Sequence, residues 1–303
     1  MLPAVQGEVV LACAQGPLVV DKEDSDGEAI KQKTLEVALE NLQLIAFKFD
    51  VHVAHPKFEE VPGIKEKIAG YWRVLKKHPL DKEFERRIIS QNLSAFLIPN
   101  PIKEGKKVFS ASPYPEGDEV YSLWAHLFAH PTTWVLDLTE TGEPERKGRS
   151  LYYPTIDNQP QQYGDLTVTK CYESYAGIIA TMRYRVSNGE QEVIVKRRHY
   201  YGWRDNAGLP TGELGEIVSL VLRKKGGVFV HCAMGRGRTG TAIIACFVNM
   251  LIKNKLFEEE NSFTQLNDLI ATARRDRGSD NFVATKAQYH SIVDYMRELL
   301  EDS

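Results

Sequence analysis

Residues 228–252 constrain the fold more than any other stretch of the chain. Val228-Phe229-Val230 is an apolar triplet that reads as a buried strand, and Thr241 to Ile252 is apolar on nearly every face, as a central core helix is. Only His231-Cys232-Ala233-Met234-Gly235-Arg236-Gly237-Arg238-Thr239-Gly240 separates them. The loop therefore opens onto a helix N-terminus, where backbone amides lack intrahelical partners and the helix dipole favours an oxyanion. Gly235 and Gly237 let the amides of Ala233, Met234, Gly235, Arg236, Gly237 and Arg238 turn inward as an anion nest. Arg238 closes the ring with two parallel N–H bonds. That field favours the thiolate of Cys232, the form that acts as nucleophile. Thr239 offers a hydroxyl that donates to this thiolate when it becomes the leaving group. No Gly-Lys-Ser/Thr ends the run, which excludes a nucleotide-binding P-loop. A free cysteine is more often a small buried hydrophobe. Here seven of ten positions with a fixed residue type, with strand and helix on the correct sides, outweigh that reading.

The run His231 to Gly240 meets in full the His-Cys-x-x-Gly-x-Gly-Arg-Ser/Thr-Gly signature of the protein tyrosine phosphatases, and the chain resembles that family beyond it. His199-Tyr200-Tyr201-Gly202-Trp203-Arg204-Asp205-Asn206-Ala207-Gly208-Leu209-Pro210 is similar to the mobile Trp-Pro-Asp loop and the Gly-Val-Pro that follows it. The resemblance makes Asp205, 27 residues before Cys232, the general acid, with Trp203 and His231 in support. Arg204 stands in place of the proline, and one extra residue lies between Asp205 and Gly-Leu-Pro. Asn281-Phe282-Val283-Ala284-Thr285-Lys286-Ala287-Gln288-Tyr289 is similar to the segment whose first glutamine orients the hydrolytic water; that position is Ala284 here, and Gln288 matches the second glutamine. Slow hydrolysis of a cysteinyl-phosphate is the consequence expected. Asn92 to Ile98, Phe109 to Pro113 with Leu123-Trp124, and Arg146-Lys147-Gly148 with Tyr152-Tyr153-Pro154 match other family segments more loosely. Glu143 or Glu145 is placed to pair with the loop arginine, although a surface acid is the more ordinary role for either. The tyrosine that stacks on phosphotyrosine in the family has no counterpart near Phe84-Glu85-Arg86-Arg87-Ile88.

What the resemblance implies is metal-free, cofactor-free hydrolysis of phosphotyrosine on a phosphorylated protein through a cysteinyl-phosphate. Two alternatives stay open: a dual-specificity or phosphoinositide phosphatase, favoured by Arg236 inside the loop, and a catalytically weak phosphate-binding pseudophosphatase, favoured by Arg204 and Ala284.

A chain of 303 residues with 43% hydrophobic and 10% aromatic residues is long enough for one large core. The economical reading is an N-terminal extension over 1–80 and a catalytic domain over 81–303. A net charge of −3 gives no global basic field, which argues against nucleic acid as a partner. Basic runs at Lys196-Arg197-Arg198, Arg223-Lys224-Lys225 and Arg274-Arg275 read mostly as solvated faces; the first adjoins the acid segment, where it would attract an anionic substrate. Four widely spaced cysteines with no Cys-x-x-Cys pair fit a reducing compartment and offer no metal-ligand spacing. Met1 to Val20 lacks a basic start and is interrupted by Gln6, Glu8, Gln15 and Pro17, so no signal peptide or membrane span is expected there. Cytoplasmic residence follows, with delivery into another cell as an open possibility.

Residues 21–29 read as an acidic linker, followed by a helix carrying Leu35, Ala38, Leu39, Leu42 and Ile45. Strand-like runs follow at Leu93 to Ile98, Trp134 to Leu138, Met182/Tyr184/Val186 and Val193 to Val195. Helical spacing then appears at Leu214/Ile217/Val218/Val221, after Cys232, at Leu266/Leu269/Ile270/Ala273, and from Tyr289 to Leu300. Strands first and helices late suggest an α/β (α+β) fold with a twisted mixed sheet flanked by helices, which is also the architecture the resemblance implies.

Overall fold

The computed structural model describes residues 88–90, 93–102, 107–257 and 259–302, so the linker and helix expected within 21–45 lie outside the described residues. In chain order the strands are β1 (Ile88–Ser90), β2 (Leu93–Ile98), β3 (Phe109–Ser112), β4 (Trp134–Asp137), β5 (Pro160–Tyr163), β6 (Leu166–Ala176), β7 (Ile179–Ser187), β8 (Glu192–Tyr200) and β9 (Val228–His231). The helices are α1 (Asp118–Ala129), α2 (Glu143–Arg146), α3 (Thr211–Arg223), α4 (Gly237–Lys253), α5 (Ser262–Arg277) and α6 (Lys286–Glu301).

All nine strands join one mixed sheet in the order β1-β2-β3-β9-β4-β8-β7-β6-β5. The four central strands, β3, β9, β4 and β8, run parallel. Antiparallel pairs extend the sheet on either side, β1-β2-β3 at one edge and β8-β7-β6-β5 at the other. Every residue of β9 is buried, as a parallel strand covered on both faces requires. Val228 and Val230 enter one hydrophobic core, with side chains of α3 to α6; Phe229 enters a second on the opposite face, with Leu123, Trp124 and Leu127 of α1. That alternation is the period-two geometry of a strand.

Helix α4 is the central helix the sequence predicts: 13 of its 17 residues are buried, and it packs among α3, α5 and α6. Phe247 meets Phe109 of β3 edge to face at 5.0 Å, which ties the helix to the strand beside β9. Cys246 on this helix is wholly inside, and burial pushes its thiol up to about 12 against the pull of Lys107; it is an inert core residue. Among the described residues no helix is long and apolar enough to cross a membrane.

The α/β reading and its twisted mixed sheet hold. Two helices were not anticipated: the single turn α2 between β4 and β5, and α1, which interrupts the strands between β3 and β4. Its buried stripe of Leu123, Trp124 and Leu127 spans little more than one turn, too short for the helical period to stand out.

Candidate active site

The parallel strands aim their carboxyl ends at one place, where an open α/β sheet positions ligands. Ser112, His231 and Asp137 lie side by side in register, and His199 sits opposite Asp137 on the next strand. From these ends leave Pro113-Tyr114, the Cys232 loop, the Thr139–Arg149 segment and the Tyr201–Pro210 segment. Residues distant in sequence are thus gathered at one edge of the parallel strands.

The Cys232 loop is shaped by what holds its carbonyls. Ala233 O accepts from Tyr114 N at 3.2 Å and from Arg149 Nη1 at 2.8 Å; Gly235 O accepts from Arg277 Nε at 3.1 Å. Carbonyls drawn outward leave the loop amides free to face inward. Gly235 has φ of 60°, and a Cβ there would fall 2.1 Å from the Ser112 carbonyl oxygen, so both conformation and space demand glycine. Gly237 is needed for space alone, because its Cβ would lie 2.8 Å from the Gln288 amide. Cys232 is 3% exposed, while Met234 and Arg236 stand out at the rim.

Arg149 escaped the sequence reading, since nothing local marks an exposed-looking arginine 84 residues from its target. It is held by Glu116 Oε1 at 2.8 Å and stacks on the Tyr114 ring at 5.9 Å. Arg149→Met, which keeps the bulk and removes the donor, is expected to lower kcat/KM about tenfold with little change in Tm, because a charge-assisted bond to a partly exposed carbonyl contributes about 1–2 kcal/mol. Steady-state kinetics beside a thermal melt checks this.

Arg238 is 1% exposed, and the end-on fork of its guanidinium grips Glu143: Nη1 to Oε2 at 2.7 Å and Nη2 to Oε1 at 2.8 Å. Glu143 is therefore no surface acid. It is buried and pairs with the loop arginine, whereas Glu145 is exposed. Burial alone would lower the Arg238 pKa, yet the Glu143 hydrogen bond, the Cys232 sulfur and Asp205 leave it raised. Burial also works against the Glu143 charge, but Arg238 and Lys147 hold its carboxyl down to about 2. Arg238 Nε, on the side-on edge with Nη2, is buried with no hydrogen-bond partner. Thr239 Oγ1 is likewise buried and unpartnered.

The acid segment folds over this arginine. Trp203 is fully buried, its carbonyl accepting from Arg238 Nη1 at 3.0 Å and its indole donating to Ala207 O at 2.9 Å. Asp205, half exposed, rests Oδ1 3.3 Å from Arg238 Nη2 and Oδ2 3.3 Å from Lys147 Nζ. The extra residue after Asp205 takes a left-handed turn at Asn206, φ 63°, which asparagine tolerates. Its carbonyl is then fixed by Thr285 Oγ1 at 3.0 Å. Gln288 is 1% exposed and closes a capping box on α6, its Oε1 accepting from Thr285 N at 3.3 Å and also from Ala284 N at 2.9 Å. The same amide lies against Gly237, so the capping residue sits beside the loop. Val283 carries φ of 61°, a strained conformation for a β-branched side chain. Arg274 holds the turn by donating to Phe282 O at 2.9 Å and Val283 O at 3.1 Å.

Beneath the loop runs a buried chain of polar groups. Arg197 Nη2 meets Asp137 Oδ2 at 2.5 Å, Arg197 Nε donates to Tyr152 Oη at 3.2 Å, and Tyr152 Oη lies 2.8 Å from His231 Nε2. With the tyrosine proton directed at Nε2, the imidazole keeps its own proton on Nδ1. Burial works against the Asp137 charge, but His231, Arg197 and His199 beside it hold its carboxyl well below the usual range. Arg197, the middle of the basic run expected to attract an anionic substrate, is instead a core cation. Burial pushes His231 down to about 4 against the attraction of Asp137. An unfolded chain takes up a proton near pH 6.5 that the folded one refuses until about pH 4. Stability is therefore full above pH 6.5 and falls through that window, by roughly 3 kcal/mol. Urea unfolding at pH 7 and pH 4 is expected to show that loss, with a smaller one in His231→Gln.

A separate cleft of about 460 Å³, lined by Thr139, Glu145, Tyr153, Tyr175, Tyr184 and Tyr201 among others, lies behind the Thr139–Glu145 segment. It contains no residue of the Cys232 loop, so the chemistry does not follow the volume.

The family model for protein-tyrosine phosphatases matches residues 87–298, which takes in every site residue above. The chain belongs to the protein-tyrosine phosphatase family. It is 26% identical over 152 residues to the rat receptor-type tyrosine-protein phosphatase epsilon, covering 46% of this chain and 21% of that protein. It is 26% identical over 217 residues to the rat phosphatidylinositol phosphatase PTPRQ, covering 69% and 9% respectively. The chain thus spans about a fifth or less of these two relatives. The Trypanosoma cruzi protein tyrosine phosphatase TcPTP1 superposes with a TM-score of 0.67 at 18% identity, over 80% of this chain and 95% of that one, which establishes a shared fold.

Proposed function

We propose that this chain is a protein tyrosine phosphatase that hydrolyses phosphotyrosine through a cysteinyl-phosphate, with 81–303 as the catalytic domain and 1–80 as an extension. One observation carries the reading: Arg238 is fixed end-on by Glu143 while Nε, on its side-on edge beside Cys232, is buried without a partner and Nη2 holds Asp205 only at 3.3 Å. In the first step Cys232 Sγ attacks phosphorus and the bond from phosphorus to the leaving oxygen breaks. Arg238 and the amides of residues 233 to 238 hold the three equatorial oxygens, and Asp205 protonates the departing oxygen. In the second, water attacks phosphorus and gives its proton to Asp205, the S–P bond breaks, and the thiolate returns, steadied by Thr239. Asp205 rests on the Nη2 that a phosphoryl oxygen would claim, so substrate binding frees its carboxyl for the leaving group. Gln288, beside Gly237, is the glutamine left to orient water, and with Ala284 in the position of the segment's first glutamine that step is the slow one. A thiol nucleophile calls for a reducing compartment, which supports cytoplasmic residence.

A phosphoinositide substrate is the second reading, supported by exposed Arg236 in the loop and by the likeness to a phosphatidylinositol phosphatase. Initial rates on a phosphotyrosine peptide, a phosphoserine peptide and a short-chain phosphoinositide separate them. Phosphotyrosine is expected to lead in kcat/KM by about tenfold or more. A leading phosphoinositide selects the second reading, and tight phosphopeptide binding without turnover selects a capture module.

A further inference from the structure

Two of the basic runs noted in the sequence, apart by 24 residues or more, converge in the fold. Arg198 on β8 opposes Thr181 of β7, and Arg183 lies two positions farther along β7, on the same face and diagonal to it. Arg183 itself sits directly opposite Lys196. Arg223, in the last turn of α3, completes the group: its charge and that of Arg183 both act on Arg198. Like charges placed opposite one another destabilise a sheet. Yet none of Arg183, Arg198 and Arg223 has a carboxylate within ion-pair distance among the described residues.

The hydrogen-bond inventory points the same way. Arg198 lies over the Trp134 ring at 5.2 Å, and Lys107 Nζ approaches the same ring at 5.8 Å. Arg198 Nε and Trp134 Nε1, both donors only, are buried and have no acceptor. Lysines on a solvated face would need no explanation. Arg183 and Arg223 are exposed and Arg223 Nε donates to Ser219 O, but at the centre of the group half-buried Arg198 and buried Trp134 each keep a donor with no acceptor. Burial first, and then Arg223 and Arg183, push Arg198 below its ordinary value, so the repulsion is felt by the cluster's central member.

We propose that Arg183, Arg198 and Arg223, grouped beside Trp134, bind a phosphate-bearing anion at a site separate from the Cys232 loop. Guanidinium forks match phosphate oxygens two at a time, which suits them to a phosphate group better than to a halide. The group could be carried by a soluble phosphate compound or by a phospholipid headgroup, and the chemistry of recognition is the same.

The test uses the whole chain with the Cys232 loop filled by orthovanadate, so that added phosphate reports on the second site. Sodium phosphate, against sodium chloride of equal ionic strength, is expected to raise Tm by about 2–4 °C. Arg183→Gln with Arg198→Gln is expected to remove that increment, to raise Tm in phosphate-free buffer by relieving repulsion, and to leave p-nitrophenyl phosphate turnover unchanged. An equal increment in the double variant, or none in the wild type, overturns the proposal. Co-sedimentation with phosphatidylcholine–phosphatidylserine vesicles, lost in the double variant, assigns the headgroup as source; the Tm increment without co-sedimentation assigns a soluble one.

Discussion

Cys232→Ser is expected to abolish turnover of p-nitrophenyl phosphate, by about 10⁴-fold or more, while leaving the fold and phosphate binding intact. The size of the effect follows from the division of labour in the loop. Serine keeps the shape and the inward amides, so the oxyanion cradle survives. It supplies an alcohol instead of a thiolate, so no covalent intermediate forms at neutral pH. Residual turnover within about tenfold of wild type would place the nucleophile elsewhere. A matched pair of measurements, steady-state rate and vanadate binding by calorimetry, separates lost chemistry from lost structure.

The second large effect belongs to a residue that never touches substrate. Glu143→Ala strips the end-on partner from a guanidinium that is 1% exposed. Removing one member of a buried pair leaves an uncompensated charge, which costs about 3–5 kcal/mol. Part of that appears as lower stability and part as a misaimed Arg238, so kcat/KM is expected to fall about 10²–10³-fold and Tm to drop with it. Glu143→Gln restores a hydrogen-bonding shape without the charge and should recover stability better than rate. The pH dependence has a definite sign. A carboxyl held down to about 2 from an ordinary 4.5 contributes fully above pH 4.5 and loses its contribution as pH falls toward 2. Arg238 therefore keeps its partner throughout the neutral range.

How much of this was legible in the sequence depends on how local each interaction is. The strand, loop and helix from Val228 to Ile252 occupy one continuous stretch, and each residue type there answers a local need. Gly235 answers a left-handed turn, and the buried valines and α4 answer a core on both sides of β9. The β7 alternation of Met182, Tyr184 and Val186 is equally local. Partners that cross the sheet are not. Glu143 reaches Arg238 across 95 positions, Arg149 reaches Ala233 across 84, and Arg197 reaches Asp137 across 60. Each has a residue type that most often faces solvent, so nothing in its neighbourhood signals burial. Only the parallel arrangement of β3, β9, β4 and β8 brings these side chains together. Family likeness indicated where Asp205 and Gln288 belong, but not that Asn206 absorbs the extra residue of the acid segment, nor that Gln288 caps α6 while lying against Gly237.

The proposed mechanism forms a transient bond between sulfur and phosphorus, and a rapid-quench experiment observes it directly. Wild-type protein mixed with p-nitrophenyl phosphate, quenched within one turnover, digested and read by mass spectrometry should carry a phosphoryl group on the peptide containing Cys232, and it should accumulate because Ala284 replaces the water-orienting glutamine. A phosphoryl group on any other residue, or product formed with no phosphoryl-protein at any quench time, would contradict it.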